Sequence, residues 1–252
     1  MRDLGIINKE SWRFPRFFSN IIDKDSREIQ LDIDESKHLK NSLRMRVGDF
    51  AIVCDMNKND YLCKLINIDE NCTFEIIEKR LNQAEPNVKI RLFQAMPKGD
   101  KMEFIIQKAV ELGACEIIPV MTSRCISRPD KKSMQKKLIR YNRISYEAAK
   151  QCGRGIIPEV HDLVEYKNAI SMIKDESMGI IFYECGGEKL NNFKFSSEYI
   201  NVFIGSEGGF SKSEIDFAIE NGWKTATLGN RILRCETAPV AALAILMNLT
   251  EN

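Results

Sequence analysis

The chain has only two histidines, His38 and His161, and none of its eight cysteines falls in a C-x-x-C pair. A zinc cluster therefore has few candidate ligands, and no metal is expected. The longest apolar run, Val240 to Met247, is far shorter than the roughly 20 residues that cross a bilayer. The first residues, "MRDLGIINKESWRF", contain no apolar stretch of secretory length. Charge of one sign is not in excess either. The 37 basic and 36 acidic residues leave a formal net charge of +1, so total charge points to no class of partner. The expectation is a reduced cytoplasmic protein with no membrane partner, whose cysteines serve mostly as small core residues.

What is present is an ordinary globular composition, 44% hydrophobic and 29% charged over 252 residues, enough for one large domain or two smaller ones. The two halves differ in rhythm. "DESKHLKNSLRM" reads as a short helix and "RVGD" as a turn. "FAIVCD", "YLCKLINI" and "TFEIIEK" then follow as closely spaced strands without intervening helices, the pattern of a small antiparallel barrel. We place this domain at residues 1–81, with an extension at 1–11, and a linker at 82–87, "NQAEPN".

From residue 88 to 252 strands alternate with helices, the pattern of a largely parallel α/β sheet. "KIRLFQAM" is strand-like, and Asp100 with Glu103 resembles a capping box. Ile105, Ala109 and Leu112 then share one stripe of a helix ended by Gly113. "CEIIPV" is a strand, Ser133 to Lys150 a long basic helix, and Leu163 to Ile173 a further helical region. "GIIFYE" and "YINVFIG" are continuous apolar strands, as expected when both faces are buried. "KSEIDFAIENG" is a helix stopped by Gly222, "KTATLG" a strand, and the apolar C-terminal helix should be buried all round.

Two loops carry candidate chemistry. "FIGSEGGFS" lies between a buried strand and a helix, where open α/β sheets bind ligands. Gly205, Gly208 and Gly209 would let the backbone approach a ligand, although a plain tight turn explains glycines equally well. The loop lacks the GK[ST] ending of a P-loop and is not G-x-G-x-x-G. Glu207 in its middle would repel a phosphate, so a nucleoside with hydroxyls or positive charge fits better. The second loop is "LGNRILRCETAP". Gly229 begins a turn, Thr237 can cap the last helix, and Pro239 is tolerated in its first turn. Arg231, Arg234 and Glu236 must then be paired or face a ligand; an Arg–Glu brace is the plain alternative. Two such loops at strand ends suggest one shared pocket.

Basic residues supply a third feature. Between Arg124 and Arg143 there are eight of them against Asp130 alone. Such a cluster can hold phosphates of a nucleic acid, or be simply a solvated helix face. "RFPRFF" interleaves Arg13 and Arg16 with aromatics that can stack on bases, unless Phe17 and Phe18 belong to a core. "HLKNSLRMR" adds Arg44 and Arg46. In "EAAKQCGRGIIPEV", Cys152 has no local signature of a nucleophile, and packing is the favoured role.

In this order, "MPKGDKMEFIIQKAVELG", "EAAKQCGR", "FIGSEGGFS" and "LGNRILRCETA" resemble the RsmE family of ribosomal RNA methyltransferases, in the SPOUT superfamily. "HLKNSLRMRVGD" resembles that family's PUA-like RNA-binding barrel, so the likeness spans nearly the whole chain. The resemblance implies an α/β, trefoil-knotted methyltransferase domain preceded by a small PUA-like antiparallel β-barrel. It implies S-adenosyl-L-methionine as cofactor, 16S rRNA in the small ribosomal subunit as partner, a homodimer, and methylation of a uridine at N3. The cofactor site would be built from Ile204, Gly205, Glu207, Gly208, Gly209, Leu228, Gly229, Ile232, Leu233 and Thr237. RNA would be held by Arg13, Arg16, Arg44, Arg46, Lys98, Lys101 and Arg154. Ser206, Asn230, Cys235 and Pro239 depart from the family's usual residues, proline being usual at 206.

Uridine N3 carries a proton at neutral pH and is a poor nucleophile until it leaves. A cation would stabilise the developing anion, and a carboxylate or water would take the proton. Arg234 is the expected electrostatic stabiliser, Glu236 the base or orienting group, and Arg124 a further group reaching the RNA. The competing class is a non-catalytic RNA-binding or ribosome-assembly protein with a relict pocket. A nucleotide hydrolase is disfavoured by the missing P-loop lysine and by Glu207, and a thiol enzyme using Cys152 or Cys235 has little support.

Overall fold

The computed structural model describes residues 14–19, 27–173 and 177–251. Arg13 and the extension 1–11 lie outside the described residues. Two compact units divide the chain: residues 1–85 with 150–156, and residues 86–149 with 157–252.

In the first unit, β1 (Arg16–Phe18) and β2 (Glu28–Gln30) precede α1 (Ile33–His38) and a π-helical turn at Leu39–Leu43. Strands β3 (Phe50–Cys54), β4 (Asn59–Asn67) and β5 (Thr73–Leu81) complete a five-stranded sheet of order β1-β3-β4-β5-β2. Three pairings are antiparallel, but β1 runs parallel to β3. The small antiparallel barrel expected from the sequence is a half-barrel with three antiparallel pairings and one parallel. The reason is connectivity: antiparallel neighbours can share a hairpin, whereas β1 reaches β3 by a long crossover, which permits a parallel ladder. Inward side chains at alternate positions, among them Phe17, Ile29, Ala51, Val53, Cys63, Leu65 and Phe74, form its core.

Asp32 caps α1 by accepting from the Glu35 N–H at 2.8 Å. The π turn ends at Arg44, whose φ is 52°. Asn82 to Glu85 are tied into this unit rather than left free. Asn82 donates to Asp60 at 3.0 Å and to the Gly153 carbonyl at 2.9 Å, and Glu85 accepts from the Gly155 and Ile156 N–H groups.

The second unit alternates strands and helices. In chain order these are β6 (Lys89–Ala95), α2 (Lys101–Glu111), β7 (Ala114–Met121), α3 (Lys131–Cys152), β8 (Glu159–Val160), β9 (Val164–Glu165) and α4 (Tyr166–Ser171). They continue with β10 (Ser177–Phe182), β11 (Glu188–Lys189), β12 (Tyr199–Ile204), α5 (Lys212–Glu220), β13 (Lys224–Thr227) and α6 (Thr237–Thr250). The sheet runs β11-β13-β10-β12-β6-β7-β8, with β9 also on β7, and every pairing is parallel.

Phe93, Ile118, Ile181 and Phe203 point to one face, where they pack with Ala169 and Ile170 of α4, Ile215 and Ala218 of α5, and Trp223. Ile90, Leu92, Ile117 and Val202 alternate with them and are equally buried, so the other face must be covered too. Helices α2 and α6 cover it, packing on each other and on β6, β7 and β12. The sequence reading of α6 as buried all round is corrected. Pro239, Ala242, Leu243, Leu246 and Met247 are buried, whereas Ala244 and Ile245 are exposed. A single layer of sheet covers only one stripe of a helix.

Two expected caps are absent. Asp100 precedes α2 with φ −96° and ψ 9° and makes no side-chain cap bond. Thr237 is the first residue of α6, and Glu236 takes the cap position without a side-chain bond. A full capping box occurs instead at α5, where Ser211 and Glu214 satisfy each other's backbone N–H.

Candidate active site

A cavity of about 550 Å³ opens where the C-terminal ends of β10, β12 and β13 meet the start of α6. This is the carboxyl edge at which parallel sheets collect ligands. Its walls are three loops, 182–184, 204–209 and 227–235, together with Lys101 and Ala238. The second and third loops hold the residues expected from sequence: Ile204, Gly205, Glu207, Gly208, Gly209, Leu228, Gly229, Ile232, Leu233 and Arg234 all line the cavity. The structure thus brings the two loops together in one pocket.

Local backbone chemistry shapes the 204–209 loop. The Gly209 N–H donates to the Ser206 carbonyl at 2.9 Å, closing a tight turn. Gly209 has φ +62°, a backbone conformation that side-chain-bearing residues rarely adopt, and a Cβ there would also crowd the Glu184 carboxylate. On the other side Arg124 donates from Nη1 to the Gly208 carbonyl at 2.9 Å. Arg124 thus braces the glycine turn and is not among the cavity-lining residues. The Ser206 hydroxyl is buried and has no hydrogen-bond partner among the described residues.

The 227–235 loop leads into α6, whose first N–H groups, from Thr237 and Ala238, both donate to the Arg234 carbonyl at 2.9 Å. Arg231 and Arg234 are exposed, and Ile232 is 86% exposed despite lining the cavity. Thr237 is exposed and is not a lining residue.

A cluster of ionised groups stands at the mouth. Lys101 Nζ lies 2.9 Å from Glu207 Oε1 and 3.2 Å from Glu236 Oε2. The Cys235 Sγ lies 3.2 Å from Glu236 Oε2 and 3.7 Å from Lys101 Nζ. The Lys98 backbone N–H adds a bond to Glu207 Oε1 at 3.1 Å. Partial burial pushes Glu207 up, but hydrogen bonds from Lys101, from backbone N–H groups and from Cys235 outweigh it and bring its pKa down to about 2. Glu236 is likewise lowered: burial is opposed by its own backbone N–H, by Cys235 and by Lys101. Burial first, and then the Glu236 carboxylate, push the Cys235 thiol up to about 12. A thiol so far from ionising is no nucleophile.

Other expected RNA contacts sort by exposure. Arg44, Arg46 and the side chain of Lys98 are exposed, as are Lys131, Lys132 and Lys136 on α3. Arg16 is not: its guanidinium bonds both Asp60 oxygens, at 2.7 and 2.8 Å, with side-chain exposures of 8% and 1%. Arg154 is 3% exposed and forks onto Glu85. Both are corrected from RNA contacts to internal ion pairs of the first unit, since a buried cation must keep its carboxylate. Lys101, also expected at the RNA, bridges two cofactor-loop carboxylates in the structure. The sequence reading missed the 182–184 loop, and Glu184 in particular. The signal was there in "GIIFYE", a buried parallel strand whose C-terminal end must face the same edge as its neighbours.

Among the described residues, no group of three or more His, Cys, Asp or Glu side chains could hold a metal, and no helix is long and apolar enough to cross a membrane.

The comparisons agree with this geometry. Residues 84–247 match an RNA methyltransferase domain and residues 31–77 an RNA methyltransferase PUA domain. Ribosomal RNA small subunit methyltransferase E of Bacillus subtilis is 32% identical over 86% of this chain and 89% of its own length. The Mesomycoplasma hyopneumoniae protein of the same name is 33% identical over 90% and 96%. The crystal structure of ribosomal RNA small subunit methyltransferase E from Neisseria gonorrhoeae, bound to S-adenosyl methionine, superposes with a TM-score of 0.86. It is 32% identical and covers 94% of this chain and 98% of its own.

Proposed function

The chain belongs to the ribosomal RNA small subunit methyltransferase E family, and from that premise we propose that it methylates a uridine of 16S rRNA at N3, using S-adenosyl-L-methionine. The observation that carries the reading is the cavity at the carboxyl edge of β10, β12 and β13, walled by three loops and lined by Glu184 and Glu207 together with Lys101, Arg231 and Arg234.

The residues present fit that cofactor. The cavity volume of about 550 Å³ suits a nucleoside-sized ligand. Ile204, Gly205, Leu228 and Leu233 would hold it largely through backbone groups, while Glu184 offers an acceptor for hydroxyls. Glu184 and Glu207 line the cavity, offering negative charge to a sulfonium. When bound, the cofactor supplies a methyl group on a cationic sulfur.

The protein's own contribution is to the proton and the charge. Arg234, exposed at the cavity rim and fixed by α6, stabilises negative charge developing on the uridine as its N3 proton leaves. Glu236, held ionised, orients the base or takes that proton. Arg44, Arg46, Lys98 and the α3 lysines engage RNA phosphates. A homodimer agrees with the apolar side chains of Ala244 and Ile245 left open on α6, and a cytoplasmic location with the ribosomal substrate.

Calorimetry with S-adenosyl-L-methionine, followed by mapping of methylated bases in small-subunit RNA treated with the purified protein, tests the reading. We expect binding and one N3-methylated uridine. Absence of binding would assign the chain to non-catalytic RNA recognition. Arg234→Ala should slow transfer by about 10²-fold or more with cofactor affinity nearly intact; loss of cofactor binding alone would remove Arg234 from the chemistry.

A further inference from the structure

We propose that Lys101 is a positioning residue of the methyl-transfer site, a single ammonium that ties the Glu207 loop to the Glu236 loop and orients both carboxylates at the cofactor cavity. The inference rests on the reading of that cavity given above.

Lys101 is the first residue of α2, and the next turn of that helix is anchored by Met102, Ile105 and Ile106, all buried. Its Nζ therefore projects from a fixed support, while its two partners sit on loops 106 and about 135 residues further along the chain. The three side chains are 35%, 27% and 20% exposed, less screened than a surface pair. Without the ammonium, two carboxylates would face one another beside the Cys235 thiol, Glu207 in the cavity wall and Glu236 just outside it. With it, each has an opposite charge at hydrogen-bond distance.

The other charged groups around the cluster do not replace it. Glu184, Arg231 and Arg234 line the same cavity, but among the ion pairs made by Glu207 and Glu236 the cation is Lys101. Lys98 reaches Glu207 through its backbone N–H. Asp100 and Glu103 flank Lys101 on α2, and Glu103 pairs with Arg140 instead. The lowered pKa values of Glu207 and Glu236, and the raised value of Lys101, whose largest causes are its bonds to Glu207 and then Glu236, agree with this geometry.

This role separates Lys101 from the RNA-binding lysines. A phosphate contact would be weakened by salt, and its loss would lower RNA affinity. Loss of a loop clamp would instead change cofactor affinity and the titration of the two carboxylates.

The test compares Lys101→Met and Lys101→Arg in the full-length protein. The readouts are carboxyl ¹³C NMR titration of Glu207 and Glu236, calorimetry with S-adenosyl-L-methionine, and the pH profile of single-turnover methylation. In Lys101→Met both carboxyl pKa values should rise by about one unit or more. Cofactor affinity should fall by about tenfold, and the acid limb of the profile should move to higher pH. Lys101→Arg should restore most of each. Unchanged titration and unchanged cofactor affinity in Lys101→Met would overturn the proposal. If Lys101→Met does not fold, Lys101→Met/Glu207→Gln removes the charge left alone, and Glu236 must still titrate higher. If the wild-type protein binds no cofactor, the reading of the cavity fails, while the carboxyl titrations still decide the clamp.

Discussion

Arg16 and Arg44 both look, in sequence, like cations beside apolar residues in a nucleic-acid-binding domain, yet their surroundings give them opposite functions. Arg16 is held by Asp60, a residue 44 positions away, and no local pattern could have announced that pairing. Its loss should be a stability effect. Arg16→Met leaves a carboxylate that is 1% exposed with Asn82 as its remaining side-chain donor among the described residues, and should cost about 3–5 kcal/mol in urea denaturation. Arg16→Met/Asp60→Leu should recover much of it. Arg44→Ala and Arg46→Ala should instead change stability by no more than about 0.5 kcal/mol. Each should weaken RNA binding and reduce the salt slope by about one. If Arg16→Met stays stable and loses RNA affinity, its assignment reverts to the RNA surface. Ser206 is a third case. Its hydroxyl is buried without a partner where the resemblance leads one to expect proline. Ser206→Ala should therefore be neutral or stabilise by up to about 1 kcal/mol in urea denaturation.

Among the elements, strands and helices were legible because their signals are local. Continuous apolar runs marked β10 and β12, and turn residues marked the ends of β3, β4 and β5. Caps were less legible, although they too are local. Asp100 and Ser211 have the same spacing to a glutamate, but only Ser211 adopts the extended backbone, φ −73° and ψ 157°, that aims a cap at the helix. Spacing cannot report ψ. Ser211→Ala should destabilise by about 1 kcal/mol, and Asp100→Ala by much less; equal losses in thermal denaturation would contradict the difference. The candidate site was half legible for the same reason. Its two glycine-containing loops announce themselves by composition, whereas the Lys101 bridge depends on three distant segments meeting. Helix α6 shows a further limit: a helix apolar on every side has no periodic signal to say which stripe the sheet covers.

For the whole molecule, groups with shifted pKa values make stability depend on pH in three windows. Glu207 and Glu236 are lowered on folding. Their contribution is complete above the ordinary carboxylate value of 4.5 and is lost as pH falls towards about 2. His161 is raised, first by its bond to Glu116, with burial opposing. Its contribution is complete below 6.5 and is lost as pH rises through its folded value. Cys54, Cys63 and Cys235 are raised by burial to about 12. They stabilise fully below 9.0, and that stability is lost as pH climbs from there towards about 12. The urea midpoint should thus be flat from roughly pH 5 to 6.5, decline slightly as pH rises above 6.5, and fall more steeply below about 4.5 and above about 9. The slight decline belongs to His161, whose side chain is 31% exposed, so it should shrink with added salt. His161→Gln should abolish that middle decline while leaving the acid and alkaline limbs in place. A midpoint that rises between pH 6.5 and 8 in the wild-type protein would refute the His161–Glu116 assignment.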